Sequence, residues 1–99
     1  MTTKTIGPAQ LKKVLAPVLE RFDVTLDELF YGRRVRHVAD ARAIASWILR
    51  EHGLTFQRIG QLLHKDHSSI VHGVRRVEVE RSLSKAMARE LEEMKGAAA

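Results

Sequence analysis

Cysteine is absent from this 99-residue sequence, which excludes disulfide bonds and thiolate chemistry and makes a reducing cytoplasm a permissible environment. No apolar run approaches the roughly 18 residues of a membrane span, and residues 1–7 lack the apolar segment of a secretory signal. Aromatic residues are few, with three Phe, one Tyr and one Trp, so little surface is available for stacking bases. We expect a cytoplasmic protein with no membrane partner.

Motifs for catalysis and for metal binding are also missing. There is no G-x-x-x-x-G-K-[ST] phosphate loop, so this sequence has no ATPase module. Ser68 and Ser69 lie near histidines, but no orienting acid or oxyanion motif accompanies them. His64, His67 and His72 do not indicate a zinc site, because structural zinc usually takes four protein ligands. We predict no catalytic residue, no metal, no cofactor and no small-molecule substrate.

The length of the chain predicts one domain, which can bury a modest core without disulfide or metal staples. We place this domain at residues 8–95 and expect flexible termini at residues 1–7 and 96–99. Because Met1 looks like an ordinary start, we expect a complete small protein.

Positive charge is concentrated in the middle of the sequence, and the formal net charge is +5. Residues 31–76 contain nine Lys/Arg against three Asp/Glu, whereas the other residues contain eight against nine. All the excess positive charge therefore lies in one stretch, for which a polyanion is the natural partner. The alternative interpretation is a basic, soluble surface that has no partner.

Apolar residues recur at helical spacing and predict an all-α fold of six helices without strands. The first helix starts near Pro8, and Pro17 should kink it or divide it into two short helices. Thr25 and Glu28 have the capping-box spacing that favours a short second helix. The third helix is predicted over residues 38–51.

The pattern leaves alternatives open in the third helix and in the last helix. Trp47 is either a core residue or a platform for stacked bases, and its position beside the apolar stripe favours the core. The last helix can begin at Ser82 or Ser84. Its predicted inner face consists of Leu83, Met87, Leu91 and Met94.

Residues 55–77 predict two helices joined by a tight turn, with the second helix presented to DNA. Thr55 is the expected N-cap of the first helix, and Gly60 indicates that the two helices cross closely. Residues 64–65 are the predicted turn, and Asp66 is the expected N-cap of the second helix. Its packing face consists of Ile70, Val74 and Val77. Its outer face consists of His67, Ser68, Ser69, His72, Arg75 and Arg76.

The start of this second helix carries groups that suit base edges in the major groove. Lys65 can donate to guanine or to a phosphate, and His67 can donate to a purine or thymine edge. Asp66 can accept from a cytosine amino group or can serve only as a helix cap, and Ser68 is small enough to bond a base. Ser69 and the first-turn N–H groups suit a phosphate. Further phosphate contacts are predicted at His72, Arg75 and Arg76.

A basic loop is predicted over residues 31–37, where Arg33, Arg34 and Arg36 lie within four residues. Such a charge run is often only solvated, but its position beside a second basic region favours contact with DNA. Arginines on loops and arms commonly enter the minor groove, where the potential is most negative. We predict a phosphate contact for Arg33.

The segment KDHSSIVHGVRRV resembles the signature of the C-terminal DNA-binding domain of the bacterial replication initiator DnaA. GRRVRHVADARAIASWILRE resembles the basic loop and the following helix of the same family, and the resemblance spans roughly residues 11–80. It implies a Trp-repressor-like helical domain that binds a short, asymmetric box in double-stranded DNA. It also implies minor-groove insertion of Arg34 with Arg36 close by, and phosphate contacts at Arg42 and Arg50.

The chain departs from the family pattern in its turn and in three side chains. Leu63-His64-Lys65 is one residue shorter than the family's glycine-glycine turn, so His64 can take a left-handed conformation. Ser68-Ser69 stands for a Thr-Thr pair, Ala43 for a glutamine and Gly73 for an alanine. Gly73 should reduce helix stability. We expect these changes to alter the recognised box, or to weaken affinity for the ordinary one, more than they affect the fold.

The sequence therefore predicts a DNA binder of bacterial or phage origin, nucleoid-associated and monomeric on DNA. It would regulate replication initiation or transcription at a DnaA-box-like site without ATPase activity. An adaptor that binds a protein partner through its C-terminal helix is the alternative from another class, and RNA binding is a third interpretation. Salt dependence separates them, because about six phosphate contacts predict a log–log slope of about −5.

Overall fold

Six α-helices form the structure, a computed structural model that describes residues 6–32 and 36–97. Within these ranges no β-strand occurs, so the predicted all-α fold of six helices is confirmed. The helices are α1 (Pro8–Phe22), α2 (Leu26–Tyr31), α3 (Arg36–Glu51), α4 (Phe56–Leu63), α5 (His67–Leu83) and α6 (Lys85–Ala97).

Helix α3 is the central helix, and it packs against α1, α2, α4 and α5. Its second half is buried almost all round, which places Trp47 in the core at 2% exposure, as predicted. The helix begins at Arg36, two residues before the predicted start at Val38. The i,i+4 pair between Arg36 and Asp40, with Nε 3.8 Å from Oδ2, favours this additional half turn.

Helix α1 continues through Pro17 as one element, so of the two predicted alternatives, a kink or a division into two short helices, the division does not occur. Proline removes one backbone hydrogen bond, but the apolar stripe on both sides of Pro17 keeps the two halves on the same core. The helix ends at Phe22, and its C-cap residue Asp23 has a left-handed conformation with φ 52°. The predicted capping box then starts α2, because Thr25 Oγ1 accepts from the Glu28 amide and Glu28 Oε1 accepts from the Thr25 amide.

Helix α6 begins after Ser84, whose Oγ accepts from the Met87 amide at 3.1 Å. Leu91 and Met94 are buried on its inner face as predicted, and Met87 is partly buried. The prediction for Leu83 is wrong, because this residue ends α5 and is 81% exposed. The break at Ser84 changes the direction of the chain, so Leu83 stays on the outward face of α5.

The ends of the chain extend the described core slightly. Ile6, ahead of α1, is buried, and α6 runs to Ala97. Residues 1–5 and 98–99 lie outside the described residues, so the flexible termini and the domain limits at residues 8 and 95 remain predictions. Among the described helices, none combines the length and the apolar character that a bilayer crossing requires.

Candidate nucleic-acid interface

Helices α4 and α5 are joined by the predicted turn, residues 64–65, followed by the N-cap residue Asp66. Thr55 Oγ1 accepts from the Arg58 amide and caps α4. Gly60 explains the close crossing, since a Cβ there would lie 2.8 Å from the Lys65 carbonyl oxygen. His64 takes the left-handed conformation, with φ 56° and ψ 42°, and its amide donates to Gly60. The short turn is therefore built by a glycine on one side and a left-handed residue on the other.

Helix α5 has a packing face and an outer face over its first eleven residues, His67 to Val77. Ile70, Val74 and Val77 are at most 2% exposed, and they hold α5 against α3 and α4. The predicted base-contacting and phosphate-contacting side chains of α5 lie on the exposed side. The exposed set comprises His67, Ser68, Ser69, His72, Arg75 and Arg76.

Asp66 is the N-cap residue by position, but its carboxylate does not accept from a backbone amide of the first turn. The carboxylate accepts a hydrogen bond from the Ser68 hydroxyl instead. This bond lowers the pKa of the exposed Asp66 carboxyl from its ordinary value, so the group stays ionised at neutral pH. Asp66 and Ser68, which are both predicted to contact bases, thus form a preorganised acceptor and hydroxyl pair at the helix tip.

The imidazole of His67 rests on Phe56, the first residue of α4. Their rings meet edge to face, with centroids 6.2 Å apart and an interplanar angle of 89°. Behind the phenyl ring, the Arg50 guanidinium carbon lies 4.4 Å from the ring centroid, and Nη1 donates to the Leu54 carbonyl at 3.0 Å. Arg50, predicted to bind a phosphate, therefore also supports the ring that positions His67.

A groove of about 540 Å³ runs between α3 and α5 beside the turn. Gly73 and Ala43 form part of its wall, and a Cβ on Gly73 would lie 3.4 Å from the Ala43 Cβ. The two small residues keep the groove open, which gives the glycine that costs helix stability a packing role. The groove brings together five of the predicted DNA contacts, which are Arg42, Lys65, Ser69, His72 and Arg76.

The arginines around this groove have different internal partners. Arg42 donates from Nε to the Leu29 carbonyl at 2.8 Å and from Nη2 to the Glu28 carbonyl at 3.4 Å, which closes the end of α2. Partial burial lowers the pKa of the Arg42 guanidinium from its ordinary value, although arginine remains charged. Since a guanidinium has five N–H donors, a phosphate contact is compatible with both bonds.

Arg76 is engaged by carboxylates, whereas its neighbour Arg75 is not. Arg76 Nη2 lies 2.9 Å from Asp40 Oδ1, and Nε lies 4.0 Å from Glu80 Oε1. Within residues 6–32 and 36–97, Arg75 makes no ion pair and is exposed. The two predicted phosphate contacts therefore differ in how much of their charge is available to DNA.

The basic loop is described only in part. Arg33 and Arg34, the predicted phosphate and minor-groove contacts, lie outside the described residues. Arg36 is the first residue of α3, and its side chain is 92% exposed. Sequence reasoning did not single out the contact between Tyr31 and His64. Tyr31 ends α2, and it packs against His64, 33 positions later. No local pattern could have paired residues so far apart.

The fold and this surface define a helix-turn-helix domain with an exposed, cationic second helix, the class of protein that binds DNA. A family model described as the bacterial dnaA protein helix-turn-helix matches residues 11–77. The chain therefore belongs to this family of DNA-binding domains.

The similar proteins are full-length replication initiators. The chromosomal replication initiator protein DnaA of Caldanaerobacter subterraneus subsp. tengcongensis is 27% identical over 86 residues, 86% of this chain and 19% of that protein. That of Thermomicrobium roseum is 43% identical over 67 residues, 66% of this chain and 14% of that protein. That of Mycoplasma pneumoniae is 34% identical over 61 residues, 61% of this chain and 14% of that protein. The chain spans about a fifth or less of the length of these relatives.

Proposed function

We propose that this chain binds double-stranded DNA sequence-specifically at a DnaA-box-like site. The N-terminal end of α5 enters the major groove, where Lys65, Asp66, His67 and Ser68 contact base edges. At such a site in the cytoplasm, the protein would regulate replication initiation or transcription. These 99 residues would do so without an ATPase activity of their own.

One observation carries this proposal. The first eleven residues of α5 bury every apolar side chain of the packing face and expose every polar side chain of the outer face. A tip that carries an acceptor, a hydroxyl and an imidazole offers donors and acceptors for base edges. Because Phe56 and the Ser68 bond hold these groups, little ordering remains to be done on binding.

The groove between α3 and α5 supports the phosphate side of the proposal. Arg42 projects from one wall, and Ser69 and His72 project from the other. In this proposal a sugar–phosphate strand at the edge of the major groove lies across the groove between α3 and α5 and contacts these side chains. Arg75 and Arg50 extend this contact, and Arg76 has a smaller share because Asp40 already neutralises part of its charge.

The basic loop supplies the second groove contact in this proposal. Arg34 enters the adjacent minor groove, Arg36 lies at its entrance, and Arg33 binds a phosphate. Narrow, A·T-rich minor grooves have the most negative potential. Arg34→Ala should therefore weaken binding most where the box has an A·T-rich flank, and an effect independent of the flank would exclude insertion there.

Selection of binding sites from random duplex DNA is the direct test. We expect one enriched, asymmetric motif, and binding to it should have a log–log salt slope of about −5. The ordinary DnaA box and the enriched motif should then be compared in one competition assay. Enrichment of no motif, with duplex binding at the nonspecific level, would contradict the proposal and would leave the adaptor interpretation.

A further inference from the structure

The end of α2 and the helix-turn-helix turn are joined by an aromatic cluster of Phe30, Tyr31 and His64. The Tyr31 and His64 ring centroids are 5.0 Å apart, with planes tilted by 30°. Tyr31 Oη and His64 Nε2 are 3.4 Å apart. Phe30 meets the His64 ring edge to face at 5.2 Å. The cluster therefore connects the start of the basic loop, at Tyr31, to His64, which precedes Lys65.

The backbone of His64 is left-handed because this residue caps the C-terminal end of α4. The residue lies in the left-handed region, which glycine adopts freely and which is strained for a residue with a Cβ. The ring contacts with Phe30 and Tyr31 offset this strain. Strained residues of this kind are concentrated at binding and functional sites, where the surrounding structure holds them in place.

The cluster is open to solvent. Tyr31 is 69% exposed, and His64 is exposed as well. A ligand can therefore reach both rings while they remain in contact with each other.

The cluster lies between the two parts of the proposed DNA surface. Gly32 and Lys65, which follow the two rings in sequence, both line the groove between α3 and α5. Arg34 is three residues from Tyr31, which corresponds to about 11 Å of extended chain at most. If α5 and Arg34 occupy adjacent grooves, the sugar–phosphate strand that separates these grooves passes close to Tyr31 and His64.

We propose that Tyr31 and His64 form a composite contact with that sugar–phosphate strand, a proposal that rests on the proposed DNA-binding function. With its proton on Nε2, His64 donates to Tyr31 Oη and orients the phenol. The phenol hydroxyl donates to a phosphate oxygen, and the exposed ring covers the neighbouring sugar. Tyr31 is the contact residue, and His64 is its positioning residue.

This contact has a distinct signature because it is uncharged and touches no base. Tyr31→Phe keeps the ring stack and removes only the hydroxyl. It should weaken binding by about 3- to 10-fold, equally on the selected box and on a scrambled duplex. The salt slope and the melting temperature should stay as in the wild type, since no counterion is released by a neutral group.

Ethylation interference locates the contact on the DNA. Ethylation of one phosphate between the two grooves should weaken DNA binding by the wild-type protein. The same ethylation should not weaken binding by Tyr31→Phe any further. Val79→Thr is the matched control, because Val79 is also an exposed residue, at 56%, but lies beyond the acidic Glu78 on α5. This control should keep the wild-type affinity and the wild-type interference pattern.

A second variant tests the role of His64. His64→Gly adopts the same backbone conformation without strain, so it should fold, and it should lower affinity to the level of Tyr31→Phe. Wild-type affinity and an unchanged interference pattern for Tyr31→Phe would overturn the backbone contact while leaving the site preference intact. A loss confined to the selected box would overturn it too, because that result indicates base readout. A wild-type protein without any duplex preference would overturn both this contact and the proposed function.

Discussion

The two halves of α5 differ in burial and in the side chains that they expose, since the buried residues of the helix, Ile70, Val74 and Val77, all lie before residue 78. In residues 67–76 the outer side chains are hydroxyls, imidazoles and arginines, whereas residues 78–83 present Glu78, Val79, Glu80 and Leu83. Arg81 in the second half contacts α6 at the surface, with Nη2 3.2 Å from Glu92 Oε1, and its guanidinium carbon lies 5.9 Å from the Trp47 ring centroid. A polyanion therefore matches only the first half of the helix. The second half uses its charges to hold α6.

The boundary between the halves falls between two adjacent arginines. Arg75 belongs to the exposed, cationic part. Arg76 is the next residue on the helix, and its guanidinium pairs with Asp40 and Glu80. The comparison teaches that a basic pair in the sequence can contain one residue that is ion-paired within the fold and one that is not.

The largest effect should come from disturbing the crossing that presents the first half of α5. Gly60→Ala places a Cβ 2.8 Å from the Lys65 carbonyl, which is backbone, so the turn must move. We expect a loss of about 3 kcal/mol in the free energy of unfolding and loss of specific binding. Gly73→Ala is the matched control: its Cβ meets Ala43 at 3.4 Å, and it should stabilise by about 0.5–1 kcal/mol. Urea denaturation measures both, and equal effects would refute the assigned role of Gly60.

The next effect concerns discrimination between duplexes. His67→Ala should reduce the preference for the selected box over a scrambled duplex by about 1–3 kcal/mol, because a base contact is lost. Leu83→Gln, in the second half of α5, should leave this preference unchanged, since the residue lies on the acidic and apolar part. Competition titrations with both duplexes measure the preference. An equal loss on both duplexes for His67→Ala would exclude a base-reading role.

A smaller effect should separate Arg75 from Arg76. Arg75→Ala should weaken binding to every duplex and reduce the magnitude of the salt slope by about 0.9, as expected for one phosphate contact. Arg76→Ala should change the slope less and should instead lower the unfolding free energy by up to about 1 kcal/mol, because it breaks the pair with Asp40. Titrations at four salt concentrations, together with thermal unfolding, distinguish the two. If the Arg75→Ala and Arg76→Ala variants had the same salt slope and the same unfolding free energy, the assigned difference between Arg75 and Arg76 would be wrong.

The smallest effect concerns the ion cluster that holds α6. A hydrogen bond from Lys95 lowers the pKa of the Glu92 carboxyl, and bonds to Glu92 and Glu51 raise the pKa of Lys95. A depressed carboxyl pKa stabilises the fold above the unfolded-state value, and this contribution fades as the pH falls through the folded-state value. Lys95→Gln should therefore raise the pKa of Glu92 and narrow the acid stability range slightly. NMR titration of the Glu92 carboxyl checks this, and an unchanged pKa would argue against the assigned cause.

Much of the fold could be predicted because the signals for it are local. Helical spacing of apolar residues marks each core stripe, and Thr25, Thr55 and Ser84 cap helices through bonds to amides three residues away. The outer face of α5 follows from the same periodicity. Leu83 was wrongly predicted to lie on the inner face of the last helix. The change of direction at Ser84 depends on how α6 packs and not on spacing alone.

The candidate site could be predicted as a set of residues but not as a set of partnerships. No spacing pairs Asp40 with Arg76, 36 positions apart, or Tyr31 with His64. The bonds from Arg42 to the end of α2 likewise depend on how α2 docks against α3. These contacts decide which charges are shared within the protein and which are offered to a ligand.

The sequence by itself determined an all-helical chain with a helix-turn-helix and a cationic outer face on α5, because periodicity, capping and charge are properties of neighbouring residues. Only the tertiary structure decided that Arg75 faces solvent while Arg76 is ion-paired, that Phe56 supports His67, and that Tyr31 meets His64. The physical reason is that such pairings arise from the crossing of helices. They depend on angles and separations that the order of residues within any one helix does not specify.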